Sequence, residues 1–147
     1  MKVRNIVNSP AVTAYEDDSL EQCARKMLEL KIDEFPVVNN DEKLVGLLSA
    51  SNFVAPKTTV SFSRTEILEL FGQWFNKGEI EKIYEDSGRI TAKEIMSSPA
   101  ISVGPDESVK EVFEKLAGAG IHSVVVVEDK KPVGLVSVSD FLKLIVR

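Results

Sequence analysis

Apolar positions run through this chain in a rhythm that is written twice. From residue 11 a short stretch, "AVTAY", gives way to the polar turn "EDDS", after which Leu20, Cys23, Ala24, Met27 and Leu28 recur at helical spacing. Two apolar runs follow, "FPVV" and "LVGLLSA", joined by the polar "NNDEK". The second half keeps the order: "AISVG", a helical stripe of Val109, Val112, Phe113, Leu116 and Ala117, then "SVVVV" and "VGLVSV" around "EDKK". This succession predicts a strand, a helix and an antiparallel hairpin in each half. Ser19 with Gln22, and Ser108 with Glu111, have capping-box spacing, where the hydroxyl accepts from an otherwise orphan backbone amide. Gly118 and Gly120 predict the end of the second helix. Ser51-Asn52 and Ser139-Asp140 are N-cap types and predict a closing helix in each half.

The two halves align at an offset of 89 residues: Pro99 falls on Pro10, Ile101 on Val12, Ser108 on Ser19 and Ile121 on Ile32. The second hairpin loop is one residue shorter, so the offset becomes 88 and "GLVSVSD" (134–140) falls on "GLLSASN" (46–52). An alignment with one loop deletion over about 50 residues is a repeat. The order is β-α-β-β-α, twice, an α+β architecture. One copy has too few strands to cover both faces of its sheet, so the halves are expected to pack on each other. The organisation read from this is repeat 1 over 1–54, an insert over 55–92 and repeat 2 over 93–147. In the insert, "APKTTVSFS" reads as extended and "SRTEILELFGQWFNKGEIEKIYEDSG" as helical, with Ser63 and Glu66 as a capping box and Ile67, Phe71 and Trp74 on one side. Its large apolar residues fit a helix folded on its own repeat, a subunit interface or a cover over a ligand cleft.

Charge narrows the function. The formal net charge is −5 and the pI about 5.0, which does not favour an extended contact with nucleic acid. One cysteine, Cys23, cannot form an intramolecular disulfide, and one Cys with one His cannot build a zinc site of the usual kind. The N-terminus has no apolar core of a signal peptide, and no apolar run approaches the ~20 residues of a membrane span. The expectation is a cytoplasmic protein with no membrane partner. No Walker A sequence and no G-x-S-x-G elbow occurs, and nothing in the spacing of His122 and Asp140 sets up a triad, so no enzyme activity is expected.

The stretches "NIVNSPAVTAYEDDSL" and "KIDEFPVVNNDEKLVGLLSASN", with their second-half partners "IMSSPAISVGPDESV" and "GIHSVVVVEDKKPVGLVSVSD", resemble a CBS-domain pair, or Bateman module. The likeness covers nearly the whole chain apart from the insert. It implies tandem CBS domains, two βαββα repeats packed with pseudo-twofold symmetry, and up to two symmetry-related clefts between them. It also implies that such clefts often bind adenosine compounds (AMP, ADP, ATP, S-adenosylmethionine or dinucleotides), that pairs dimerise, and that the module regulates a partner protein without itself catalysing.

A carboxylate can accept from both hydroxyls of a ribose, which makes Asp140 the candidate sugar ligand. Ser137 and Ser139 precede it, and their hydroxyls with the helix-start amides could meet phosphate oxygens. By resemblance His122 occupies a phosphate-contacting position, and Thr13 and Ile32 of the other copy would form the adenine slot. The first expected cleft is therefore Asp140, Ser139, Ser137, His122, Thr13 and Ile32. The second exchanges the copies: Asn52, Ser51, Ser49, Asp33, Ser102 and Ile121. There Asn52 is neutral, and Asp33 would repel phosphate by roughly 1–4 kcal/mol per close pair. The first cleft is expected to bind an adenosine nucleotide as a regulatory ligand, and the second to be weaker or to hold a phosphate-free ligand. Asp140 and Asn52 also suit plain helix caps, the serines plain strand-end partners, and His122 a plain surface position. The alternative function is a structural dimerisation adaptor whose clefts are non-functional or of the S-adenosylmethionine type.

Overall fold

A computed structural model of the chain describes residues 1–53 and 86–146. The first half forms a sheet of β1 (Ala14–Tyr15), β2 (Glu34–Val38) and β3 (Leu44–Ser49), in the order β1-β2-β3. The second forms the same sheet from β4 (Ser102–Val103), β5 (Ser123–Glu128) and β6 (Lys131–Ser137), in the order β4-β5-β6. In each, the leading strand runs parallel to the middle one and the hairpin is antiparallel. Helix α1 (Leu20–Leu30) crosses from β1 to β2, and α3 (Val109–Ala119) from β4 to β5. The short helix α2 (Ala92–Ile95) precedes the second repeat, and α4 (Val138–Ile145) closes it. At the matching place the first repeat has a 3-10 turn, Ala50–Phe53. The α+β class and the doubled β-α-β-β order are therefore as the sequence predicts, and the closing helix is seen in the second repeat; in the first it is a 3-10 turn as far as residue 53, and the extended and helical readings of the insert fall almost wholly outside the described residues.

Local chemistry sets these elements. The Ser19 hydroxyl accepts from the Gln22 amide (3.2 Å) and the Gln22 side chain accepts from the Ser19 amide (2.8 Å), a complete capping box. Ser108 accepts from the Glu111 amide at 3.1 Å. Helix α1 ends on Lys31 and α3 on Gly120, both in the left-handed conformation (φ 55° and 64°). Gly118, expected at the helix end, lies inside α3, since one left-handed residue suffices to stop it. The apolar stripes are narrower than their sequence suggests. Leu20, Cys23 and Met27 are buried, as are Val109, Val112 and Leu116, but Leu28 is 80 % exposed and Ala117 is exposed too. Each of these two follows its helix's last buried residue by one position, a turn of about 100° away from the core.

The repeats exchange their leading segments. Val3, with Ile6 and Val7, packs into the core of the second repeat among Val103, Val112, Val124 and Val136. Ala92, Ile95 and Met96 pack into the core of the first among Cys23, Phe35 and Leu48. Asn8 pairs with Leu135, and Ser97 with Leu47, so each repeat's strap crosses the other's hairpin. The crossing is tight because the strand beneath has a glycine. A Cβ on Gly134 would overlap the Asn8 carbonyl oxygen and a Val7 methyl; one on Gly46 would lie 2.5 Å from Met96 Sδ and 2.9 Å from the Ser97 oxygen. The heptapeptide glycines are therefore explained by the exchange.

Candidate functional site

The end of β6 runs directly into α4, and the residues that turn this corner form one polar network. Ser137 is the N-cap and Asp140 is the third helical residue, not the cap expected from sequence. From that position the Asp140 carboxylate accepts from the Ser137 amide (2.8 Å) and hydroxyl (3.2 Å), the reciprocal half of a capping box. Asn8, on the exchanged strap, donates its side-chain amide to both carboxylate oxygens, at 2.9 and 3.0 Å. Lys143, one turn along α4, adds a bond of 2.8 Å to Asp140 and donates to the Asn8 side-chain oxygen Oδ1 at 3.3 Å. Burial alone would raise the Asp140 carboxyl; the bonds from Lys143, the Ser137 amide and Asn8 outweigh it and hold it below the usual carboxylate range.

The pseudo-symmetric corner is built from neutral parts. Asn52 accepts from the Ser49 amide (2.8 Å) and hydroxyl (3.1 Å), and donates to Ser97 Oγ at 3.3 Å. Ser97 is the residue matched to Asn8 at the offset of 89, and Ala55 is the residue matched to Lys143 at 88. Ser49 and Ser51 share a hydroxyl–hydroxyl bond of 2.7 Å, repeated by Ser137 and Ser139. Sequence reasoning missed Asn8 and Lys143. The signal was available: both change in step with Asn52 becoming Asp140.

A cavity of about 310 Å³ opens in front of the Asp140 corner, between the strap of the first repeat (Asn8, Pro10 to Val12), the segment from the end of α1 into β2 (Lys31 to Glu34) and the end of β6 (Leu135, Ser137). Two of the six residues of the first expected cleft, Ile32 and Ser137, line it. Asp140 backs it, covered by Asn8 and Ser137, and Ser139 touches Ser137 from the exposed side. Thr13 lines a different cavity, of about 190 Å³, with Tyr15, Glu42 and Lys131. His122 is exposed, and its carbonyl accepts from the Val138 amide. Asp33, assigned from sequence to the second cleft, lines the cavity with Ile32 and Ser137, since it follows Ile32 directly in the segment leading into β2. The rest of that set is dispersed: Asn52, Ser51 and Ser49 stay at their own corner, Ile121 packs on the second core, and Ser102 lines a third cavity of about 410 Å³.

The cavity's charge is mixed and leans negative. Burial pushes the Glu34 carboxyl above its ordinary value; the Ser123 hydroxyl opposes the rise, Asp33 adds to it, and His122 opposes it. Ser123 is the repeat mate of Glu34, so the two meet close to the pseudo-twofold axis. Lys31 is the cation among the lining residues. Among the described residues no group of His, Cys, Asp and Glu is arranged to hold a metal, and no helix is long and apolar enough to cross a membrane.

Comparison with known proteins agrees with this architecture. The family model described as CBS domain matches residues 3–55 and 92–147. The CBS domain of a CBS-domain-containing membrane protein from Sphaerobacter thermophilus superposes with a TM-score of 0.80 at 34 % identity, over 98 % of this chain and 87 % of that one. The CBS domain pair of protein MJ0100, solved with 5′-methylthioadenosine and S-adenosyl-L-methionine, gives 0.70 at 24 % identity, over 99 % and 95 %. Among curated proteins, an uncharacterised protein of Methanocaldococcus jannaschii is 28 % identical over 99 % of this chain and 92 % of its own length. A homoserine O-acetyltransferase of Methanohalobium evestigatum is 26 % identical over 97 % of this chain, which spans 24 % of that enzyme.

Proposed function

The chain belongs to the CBS-domain family, and from that premise we propose that it senses an adenosine-type ligand in the 310 Å³ cavity and passes the change to a partner protein. The observation that carries this reading is that strap and hairpin from opposite repeats meet at one cavity, with a buried carboxylate behind its wall. The volume is near the lower end of the about 300–1,000 Å³ that small-molecule sites occupy, which suits one nucleoside. Pro10, Val12 and Ile32 offer apolar surface to a base. A sugar diol carries two O–H donors, matching the two bonds that Asn8 gives Asp140. The diol would take the place of Asn8, releasing the strap that is packed into the second core. That supplies the differential affinity between two arrangements which any ligand-driven switch requires.

Charge selects within the adenosine class. Asp33 and Glu34 disfavour phosphate in this cavity, and His122, expected to contact one, is not among its lining residues. We therefore favour a phosphate-free or cationic nucleoside, such as S-adenosylmethionine or methylthioadenosine, over AMP, ADP or ATP. Support by analogy comes from the MJ0100 pair, solved with both. Homodimerisation and an effector protein remain part of the proposal by family resemblance.

Thermal melting with S-adenosylmethionine, methylthioadenosine, AMP and ATP tests it. A true ligand at about 100 times its dissociation constant adds about 2.7 kcal/mol. Asp140→Ala should abolish the shift and Asn52→Ala should leave it. If no adenosine compound moves the melt, the structural-adaptor reading prevails, which the fully engaged carboxylate of Asp140 favours. A larger shift with ATP than with S-adenosylmethionine would overturn the charge argument alone.

A further inference from the structure

At the other end of the sheets, near the hairpin loops, the pseudo-symmetry produces a second pair of cavities, and the two have diverged. One is lined by Glu42, Lys131, Thr13 and Tyr15, and measures about 190 Å³. Its mate measures about 410 Å³ and carries Lys130, Lys43, Ser102 and Asn39. The correspondence is positional: Lys43 matches Lys131, Ser102 matches Thr13, and Lys130 stands where the first repeat has Glu42. That last exchange turns one anion and one cation in the lining into two cations. Tyr15 is matched by Gly104, which has no side chain to occupy the space, and Thr13 by the smaller Ser102.

We infer that the larger cavity is a binding site for a small organic anion, a phosphoryl or carboxylate group on a compact apolar body. Three observations converge on it. First, neither the Lys43 nor the Lys130 ammonium is paired with a carboxylate among the described residues, and no carboxylate lines the cavity. Second, the two lysines come from different repeats and are held in register by backbone. The Leu44 amide donates to the Lys130 carbonyl (2.9 Å), the Asn39 amide donates to the Lys43 carbonyl (3.0 Å), and the Asn39 side chain accepts from the Lys43 amide (3.1 Å). Third, Val45, Pro99, Ala100 and Val127 give the floor an apolar surface, so the site offers a place for a ligand body as well as its charge. The site differs from the adenosine cavity in residues and in sign of charge, and it does not depend on that assignment.

The test is a titration followed by ¹H–¹⁵N spectra, with phenyl phosphate, benzoate and benzyl alcohol as probes. Phenyl phosphate should produce saturable shifts at Leu44, Ser102 and Lys130, benzoate weaker ones, and the uncharged alcohol none that saturate. Preference for the ester would assign the site to a phosphorylated ligand; preference for benzoate, to a carboxylate one. Lys130→Glu gives this cavity the one cation and one anion that line the smaller one and should weaken binding by roughly tenfold or more. The turn tolerates it, because Glu42 holds the left-handed conformation (φ 63°) in its own loop, as Lys130 does at φ 66°. Glu42→Lys, in the smaller cavity beside Tyr15, should create no equal site. Shifts that do not saturate, that spread over other lysines, or that survive Lys130→Glu in a variant with an otherwise unchanged spectrum would overturn the inference.

Discussion

The two corners that follow the repeated heptapeptide do the same structural work with different chemistry. Asn52 makes three hydrogen bonds within a neutral group, to Ser49 twice and to Ser97. Asp140 accepts five, from Ser137 twice, Asn8 twice and Lys143. A carboxylate with 2 % of its side chain exposed must be supplied with donors. Asn8 in place of Ser97 and Lys143 in place of Ala55 supply them. One position gained a negative charge, and two others changed with it, Asn8 far away in sequence and Lys143 one helical turn along. The lesson is that a charged residue in a repeat is interpretable only with its partners. Taken alone, Asp140 invites a sugar; taken with Asn8 and Lys143 it is already satisfied, and a ligand has to compete for it.

The largest expected effect separates those corners directly. Asp140→Ala leaves the Asn8 amide and Ser137 amide without their acceptor and should cost about 3 kcal/mol in urea denaturation, against about 1 kcal/mol for Asn52→Ala. The pair Asp140→Asn with Asn8→Ser rebuilds the first corner in the second, and its double-mutant cycle should show a coupling of about 1–2 kcal/mol. Equal costs at the two corners, or no coupling, would mean the charged network adds nothing over the neutral one.

Next in size is the strap crossing. Gly134→Ala drives a methyl into the Asn8 carbonyl and a Val7 methyl, whereas Gly46→Ala meets first the flexible thioether of Met96. Overpacking of this kind costs about 1–3 kcal/mol, so Gly134→Ala should fall near the top of the range and Gly46→Ala near the bottom. The midpoint of a denaturant titration decides it; a reversed order would place the tighter crossing in the first repeat.

Acid should affect the corners unequally too. The Asp140 carboxyl is depressed in the folded state, so its contribution is present above the unfolded-chain value of about 4 and is lost as pH falls through the lower folded value. Asn52 has no such limb. Glu34 is raised, so its contribution has the opposite sign: present below the unfolded-chain value, lost as pH rises through the folded one. Melting curves from about pH 3 to 7 should therefore flatten on the acid side in Asp140→Asn, while Glu34→Gln should gain relative stability as pH rises. Identical profiles for all three proteins would show that these groups do not differ between folded and unfolded chains.

Much of this architecture was legible beforehand. The repeat offset, both hairpins, the start of each crossover helix and the buried Cys23, Met27, Val112 and Leu116 follow from spacing and capping rules that act within a few residues. What was not legible depends on which segment crosses which. The exchange of straps brings Asn8 to Asp140 and Ser97 to Asn52 across more than forty residues, and no local pattern encodes it. The same exchange sets the strap of the first repeat beside the end of β6, which is why Asp33 and Ile32 share a cavity with Ser137 of the other repeat. Glycine was the one local trace: Gly46 and Gly134 stand in apolar strands where nothing in the strand itself calls for them.

The smallest expected effect lies in the crossover helices, where the repeats should be most alike. Cys23 occupies the position of Val112, and both are buried in the face that meets the sheet, at 1 % and 0 % exposure. Burial, reinforced by Asp18 and opposed by Lys26, pushes the thiol up to about 11, so near neutral pH it is a protonated, weakly polar filler, as Val112 is an apolar one. Cys23→Val should then alter stability by less than about 1.5 kcal/mol, the ordinary range for swaps that conserve volume. In the parent protein a thiol reagent should react with Cys23 far more slowly than with the urea-unfolded chain, the rate climbing with denaturant as the helix opens. Rapid labelling without denaturant would mean that the first helix is held less firmly than its mate, and that the divergence of the repeats extends from their polar corners into their cores.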